Sequence, residues 1–227
     1  MGMPYFIFKD IDSTGVLTVN KLPSIFSAER DMELVPVQGR DGYVTNDLGS
    51  YRSVIKSVEC SINDLSQLDY ICNWLSGKGD VIFSNEPDKV YKAVIKNQIE
   101  FAKVLGTFHS FIILLECQPH KYVDANDVIT LTTSPTTINN IGTINSLPIF
   151  KIYGTGSVVL TINGRAILIN SIIGSVTLDS DIGDAFSGAG NMNNNMTGEF
   201  QELIPGVNNI SWTGTVSKIE VTPNFRY

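Results

Sequence analysis

Cysteine, histidine and aspartate residues at short spacings could bind a metal ion, and two such groups occur in this sequence. Cys117 and His120 stand three residues apart, but no second pair at ligand spacing accompanies them, as a zinc site would require. Asp179, Asp181 and Asp184 resemble the start of a calcium loop, but the ligand series breaks after the second aspartate. A buried or surface role is therefore favoured for the first pair and a solvated acidic loop for the second group. We expect no metal site.

Residues that could act in catalysis lack the partners that catalysis needs. His109 has neither a serine in a G-x-S-x-G turn nor a cysteine signature to activate, so a structural histidine is favoured. Gly154-Thr155-Gly156 lacks the third glycine of a dinucleotide-binding turn, and no Walker motif occurs. The sequence predicts no catalytic residue and no cofactor, and an enzyme is the weakest of three functional hypotheses.

The run Gly39-Arg40-Asp41-Gly42 is a candidate contact site between subunits. Its paired glycines predict a tight turn or loop that presents Arg40 and Asp41. Arginine is favoured at interfaces because its planar guanidinium donates two parallel hydrogen bonds to a carboxylate. An ordinary Arg-Asp surface turn explains the same residues, and both interpretations stay open.

The elements that would position these residues in the first half are strands and one helix. The residues from Leu22 to Glu33 read as irregular and extended, and a turn is predicted at residues 85–88. A helix should begin at Asn63 or Asp64 and end at Gly77, because Leu65, Leu68, Ile71, Cys72 and Leu75 recur at helical spacing. Short apolar or alternating runs predict strands at residues 5–9, 15–19, 34–37, 54–62, 81–83, 89–95 and 108–117.

The second half differs in composition, since charged residues become fewer and Thr, Ser, Asn, Ile and Gly dominate. We predict an N-terminal domain at residues 1–122, a linker at 123–130 and a C-terminal domain at 131–227. Alternation across Pro205 and Gly206 predicts a β-hairpin within residues 197–214. An antiparallel β-sandwich is expected from short strands at residues 149–153, 158–163, 165–169, 174–178, 200–203, 210–212 and 218–221.

Exposed aromatic rings could give this second domain a sugar-binding function. Trp212 and Tyr227 could stack on sugar rings, as aromatics do in carbohydrate-binding sandwiches. A tryptophan in an alternating strand is more often a core residue, because its large area stabilises the fold more when it is buried. A lectin-like binder of cell-surface polysaccharide is therefore the main alternative hypothesis.

Bulk composition excludes several classes of function. The 227 residues are 43% hydrophobic and only 17% charged, with a net charge of −7, so the chain is globular and has no broad basic surface for nucleic acid. The three cysteines, which are odd in number and widely separated, indicate reduced thiols in a cytosolic protein. We expect no membrane insertion or lipidation, because no long apolar segment or lipidation signal is found.

Several runs of the chain, taken in order, are similar to the distal tail proteins of long-tailed phages and prophages of Gram-positive bacteria. In the first half the resemblance rests on residues 37–42 and 117–122, on Trp74-Leu75-Ser76-Gly77-Lys78-Gly79 and on the turn region from Phe83 to Tyr91. In the second half it rests on Leu178-Asp179, the asparagine-rich loop at 188–195, Gly198-Glu199-Phe200 and Leu203 through Trp212. The second half is similar to the galectin-like or carbohydrate-module-like sandwich of those proteins.

The resemblance implies a mainly β fold, with an α+β N-terminal domain, and a hub at the tip of a phage tail. It implies a hexameric ring of N-terminal domains that joins the tail tube protein to tail-tip, tail-associated lysin, baseplate or receptor-binding proteins. DNA would pass through the ring only as cargo, and the protein would be made in the host cytoplasm and end in the virion. Residues 39–42 would help to close the ring.

Overall fold

The computed structural model, which describes residues 3–62, 65–97, 99–104 and 108–227, divides the chain into two compact units. The N-terminal unit comprises residues 1–121 and the C-terminal unit residues 122–227. Strands dominate both units, and the described residues contain a single α-helix. The predicted mainly β fold class is confirmed.

Most of the N-terminal unit is β-strand. A 3₁₀ turn at Leu65–Gln67 leads directly into the helix α1 at Leu68–Trp74. The strands are β1 Phe6–Phe8, β2 Ile11–Asp12, β3 Thr18–Lys21, β4 Arg30–Pro36, β5 Tyr43–Tyr51, β6 Val54–Ile62, β7 Gly77–Phe83, β8 Glu86–Ile95, β9 Ala102–Val104 and β10 Phe108–Val123.

One eight-stranded sheet and the helix enclose the core of this unit. The strand order is β2-β1-β7-β8-β10-β6-β3, and β9 pairs with β10. Alternate residues of β6 and β10 point into the core, as the two-residue period of a strand requires. The helix covers that core through Ile71 and Trp74, and the Trp74 ring stacks on Phe6 at a centroid distance of 5.6 Å. The indole N–H donates to the Phe8 carbonyl at 2.8 Å, which satisfies its buried polar group.

Two local predictions in this unit were wrong in detail. The helix ends at Trp74 rather than near Gly77, which begins β7, and Cys72 is exposed instead of lying on the buried stripe. The turn between β7 and β8 falls at Ser84 and Asn85, and the predicted turn residues 86–88 belong to β8. The predicted N-caps, Asn63 and Asp64, lie outside the described residues.

The C-terminal unit also consists of strands, three of which are long. A 3₁₀ turn occupies Asn193–Asn195. The strands are β11 Ile129–Leu131, β12 Thr136–Asn140, β13 Ile149–Ile162, β14 Arg165–Asp179, β15 Asp184–Ser187, β16 Gly190–Asn191, β17 Met196–Thr197 and β18 Gly206–Thr222.

These strands form a single antiparallel sheet that curls on itself. Its order is β11-β18-β13-β14-β15-β16, with β12 paired to β18 and β17 to β14. Both ends of β13 bury side chains in one core cluster, which includes Phe150, Ile152, Leu160 and Ile162. A straight strand would separate its ends by about 3.3 Å per residue, so β13 must bend to reach one core twice.

Glycines permit the close strand contacts at this bend. A Cβ atom on Gly154 would lie 2.3 Å from the Thr215 carbonyl oxygen, and one on Gly214 would lie 2.4 Å from that of Ser157. The pairing of β13 with β18 is irregular in the same region. The bend therefore depends on residues without side chains.

The predicted strand pattern of this half differs from the structure in two ways. Pairs of predicted short strands are single long strands, because β13, β14 and β18 continue through their glycines. The predicted hairpin at 197–214 was wrong, since Leu203 makes only an isolated bridge to Ser146 and β18 pairs with β12 and β13. Leu203 is nevertheless fully buried, so the apolar pattern identified a core residue in an irregular segment.

Candidate assembly surface

Strands β4 and β5 form a two-stranded hairpin apart from the main sheet, and we call residues 30–51 the arm. Its register runs from Arg30 opposite Tyr51 to Pro36 opposite Tyr43. Every residue of the arm except Asp31 is exposed. A hairpin of this kind is at best marginally stable in water, since the described residues give it neither a third strand nor a core.

The arm exposes an unusual number of large apolar side chains. The most exposed is Tyr43, with 59% of its surface accessible. The eight such residues are Met32, Leu34, Val35, Val37, Tyr43, Val44, Leu48 and Tyr51. Single exposed apolar residues are common on protein surfaces, but a continuous series on one exposed element marks an interaction surface.

Apolar side chains lie on both faces of the arm. Leu34 shares a face with Pro36 and Tyr43, because alternate residues of a strand share a face and Pro36 is paired with Tyr43. Val35 and Val44 are paired on the opposite face. A partner that covered one face alone would leave the other apolar face in water.

Two ion pairs lie at the base of the arm. The Arg30 guanidinium donates to the Asp47 carboxylate at 2.7 Å and lies 5.5 Å from the centre of the Tyr51 ring. Hydrogen bonds from Arg30 and from the Gly49 backbone hold the pKa of Asp47 below its usual range. A second ion pair joins Arg52 to Asp31 at 2.8 Å. These exposed ion pairs link the two sides of the hairpin at its base, far from the Arg40 and Asp41 of the tip.

The four predicted contact residues come together at the tip of the arm. Gly39 and Gly42 both have positive φ angles, +80° and +86°, which explains the glycines at these positions. The Arg40 backbone N–H donates to the Val37 carbonyl at 3.2 Å and closes the turn. Within the described part of the chain, the side chains of Arg40 and Asp41 have no hydrogen-bond or ion-pair partner. Their role in a subunit contact stays a prediction.

A second apolar surface lies on the solvent side of the main sheet. We call it the outer face, and it includes Ile55 of β6, Val94 of β8, and Ile112 and Leu114 of β10, all exposed. Charged pairs border it, with Lys96 and Glu116 at 2.5 Å on one side and Lys21 and Glu59 at 3.3 Å on the other. An apolar centre with a charged rim is the usual anatomy of a protein interface.

The residues considered for metal binding have other roles. Cys117 is buried, and His120, three residues along the same strand and hence on its opposite face, contacts the Tyr51 ring edge to face at 5.2 Å. The Asp179 carboxylate accepts the Asp181 backbone N–H at 2.9 Å and so closes a turn. Among the described residues, no group of three or more acidic, histidine or cysteine side chains could hold a metal ion. The side chain of His109 lies outside the described part.

Two aromatic side chains of the C-terminal unit have contacts within their own chain. Trp212 is partly buried and packs against the core. The Tyr153 ring lies near the ammonium groups of Lys151 and Lys218, at 5.1 and 4.5 Å from its centre, and its hydroxyl donates to Glu220 at 2.8 Å. The arm, by contrast, presents its apolar residues without cover.

Across the described ranges, no helix has the length and apolar character needed to cross a bilayer.

Comparison with known proteins gives a match in structure and none in sequence. No family model matches the sequence, and no curated protein matches it. The crystal structure of the Dit protein of phage SPP1, described as a paradigm of the hub adsorption apparatus in phages that infect Gram-positive bacteria, is similar over 100% of both chains. Its TM-score is 0.78 at 15% sequence identity. The chain therefore shares the fold of that distal tail protein over its full length.

Proposed function

We propose that this protein is a distal tail hub, a structural component of a phage tail tip in which copies of the chain associate through their arms into a ring. The observation that carries the proposal is the arm, an exposed hairpin with apolar side chains on both faces. The full-length similarity to a phage hub protein supports the same function. The protein acts by holding other proteins in place and has no enzymatic activity.

A ring requires two different surfaces on each subunit, since each copy contacts one neighbour with one surface and the next neighbour with the other. The arm provides the first surface. The outer face, centred on Ile112 and Leu114, provides the second, since it also exposes apolar side chains. Arg40 and Asp41 at the arm tip then lie within reach of charged groups on the neighbouring subunit.

The resemblance to distal tail proteins supplies the number of copies and the partners. Six copies form the ring, which joins the tail tube protein to tail-tip, tail-associated lysin, baseplate or receptor-binding proteins. DNA passes through the lumen as cargo. The protein is made in the host cytoplasm and is found in the virion at the tip of the tail.

The first test is the mass and shape of the purified full-length protein, measured by light scattering and negative-stain imaging over a range of concentrations. Six copies of a 24.9 kDa chain give about 149 kDa, and the particles should show a central hole. A protein that stays monomeric at every concentration but binds bacterial polysaccharide would contradict the hub function and support the lectin-like alternative.

The tip of the arm can be tested separately by Arg40→Ala. This variant should raise the dissociation constant of the ring severalfold, because the exposed guanidinium has no partner within the described part of its own chain. Arg165→Ala is the matched control, since Arg165 is also exposed beside a turn but lies in the C-terminal unit. Equal ring stability in both variants, measured by sedimentation velocity, would remove Arg40 from the interface.

A further inference from the structure

Lys56 lies at a core position of β6, although it carries a charge. It follows the alternation that buries Val58 and Cys60, it is paired with the buried Leu115 of β10, and only 1% of its surface is exposed. Burying an ammonium group costs several kcal/mol unless other groups compensate for the lost water. An apolar residue would fit this position without that cost.

Aromatic rings and one carbonyl group surround the buried ammonium. Its Nζ atom lies 4.5 Å from the centre of the Tyr91 ring, 5.7 Å from that of Phe26 and 5.8 Å from that of Phe83. It also donates to the Ser24 carbonyl at 3.3 Å. Cation–π contacts and a hydrogen bond are the interactions that stabilise a desolvated ammonium.

A small charged network lies beside this group. Burial lowers the pKa of Lys56, and the Glu86 carboxylate opposes that effect. Glu86 itself accepts hydrogen bonds from the Tyr91 hydroxyl and from Lys121. Because Lys121 already forms an ion pair with Glu86, this carboxylate does not depend on Lys56 for a partner.

Two of the groups around Lys56 belong to residues 22–29, which we call the incoming link because they connect β3 to the arm. The link is neither helix nor strand, and Ser24 and Phe26 are exposed within it. The Asn85 amide also donates to the Pro23 carbonyl of the link at 3.1 Å, and Leu22 packs against the core. On the outgoing side, the arm returns through Arg52 and Ser53 into β6, the strand that carries Lys56.

We propose that Lys56 is a positioning residue for ring assembly: its buried ammonium binds the incoming link and thereby fixes the direction in which the arm leaves the body. This role rests on the proposed function, because the arm is the element that contacts the neighbouring subunit. An apolar side chain at position 56 would keep the core filled but would remove the contacts to Ser24 and Phe26 that hold the link to the body.

The test measures the position of the arm in the monomer by double electron–electron resonance. Cys72 is exposed on α1 and takes one spin label, Asp41→Cys at the arm tip takes the other, and Cys60 and Cys117 are buried. Lys56→Met should at least double the width of the distance distribution. Lys78→Met, at an exposed position of β7, should leave the width unchanged.

In the unlabelled Lys56→Met chain, the dissociation constant of the ring should rise at least tenfold. The circular dichroism and melting temperature of this variant should stay close to those of the wild type. Phe26→Ala removes a half-exposed ring of the link and should broaden the distribution in the same way without risk to the core. An unchanged width in Phe26→Ala, together with an unchanged width or a lost fold in Lys56→Met, would overturn the proposal. Absence of a ring in the wild type would overturn only the hub function, because the width is measured on monomers.

Discussion

The two units handle polar and apolar groups in opposite ways. The C-terminal unit buries only neutral polar side chains, among them Asn140 and Asn208, beneath a sheet that closes on its own core. The N-terminal unit buries a lysine and extends an arm whose apolar residues stay in water. The C-terminal unit therefore has a core within its own chain, whereas the arm of the N-terminal unit has none in the described residues.

Removal of the arm is the strongest test of this difference between the two units. Glu29 and Arg52 are already joined at the base, where the Arg52 N–H donates to the Glu29 carbonyl at 2.9 Å, so residues 30–51 can be replaced by a two-residue Asn-Gly turn. We expect complete loss of self-association by sedimentation velocity, because the main contact surface is gone. Both units should remain folded by hydrogen exchange.

A matched change in the C-terminal unit is Ile173→Ser, which removes the most exposed apolar side chain there, at 87% accessible surface. Self-association should not change in this variant. A ring that survived loss of the arm would show that the arm is not the main contact, and a ring that dissociated in Ile173→Ser would show that the C-terminal unit takes part.

The next largest effect concerns the neutral polar network of the C-terminal unit. The Asn208 amide donates to the carbonyls of Ile204 and Gly206 at 2.8 and 2.9 Å, and its oxygen accepts the Ile204 N–H at 2.9 Å. Asn208→Ala would leave several buried groups without partners, each at a cost of about 1–3 kcal/mol, so we expect a loss of about 3 kcal/mol or more in unfolding free energy.

The exposed neighbour Asn209 provides the control, since its side chain lies in solvent and Asn209→Ala should have little effect. Denaturant unfolding followed by hydrogen exchange should locate the loss in residues 122–227, with ring assembly by folded chains unchanged. Destabilisation confined to the N-terminal unit would contradict the independence of the two cores.

A smaller effect should appear at alkaline pH, and only in the N-terminal unit, which contains all three cysteines. Burial raises the pKa of Cys60 from 9.0 to about 12 and that of Cys117 to about 11. Above pH 9 the unfolded thiols lose protons that the folded thiols keep, so each thiol lowers stability by up to about 1.4 kcal/mol per pH unit.

Comparison of the wild type with Cys60→Ala isolates the contribution of the Cys60 thiol, because Lys56 is present in both proteins. The lowered pKa of Lys56 changes stability with pH in the opposite direction. The stability difference between wild type and variant should shrink as the pH rises from 9 towards 12, as measured by denaturant titration at each pH. A difference that stays constant over this range would show that the Cys60 thiol ionises as readily in the folded protein as in the unfolded chain.

The sequence was sufficient to predict elements whose pattern is local. The strand at Val54–Ile62 and the tip turn at Gly39–Gly42 follow from alternation and from paired glycines, and both occur where expected. The strand at Tyr43–Tyr51 was not predicted, because Thr45, Asn46 and Asp47 interrupt its apolar residues. The signal that could have revealed the arm is the pair of apolar runs on either side of the tip.

Other features could not be read from the sequence because they depend on distant partners. The three long strands of the C-terminal unit continue through glycines, which in the sequence resemble strand ends. Only the fold shows that another strand passes close to these glycines. Alternation along residues 54–62 puts Lys56 on the same side as Val58 and Cys60, but its partners Ser24 and Phe26 are about thirty positions away. The exposure of the arm is a property of the whole unit.

The hairpin of the arm leaves the outer edge of each of its strands without a hydrogen-bonded neighbour in the described residues. Unpaired strand edges next to apolar side chains are templates for uncontrolled addition of further chains. Head-to-tail contacts produce a closed ring only if the rotation between neighbours closes, and otherwise they produce an open fibre. In the proposed assembly, the angle at which the arm leaves its subunit would therefore decide between a closed particle and an open fibre.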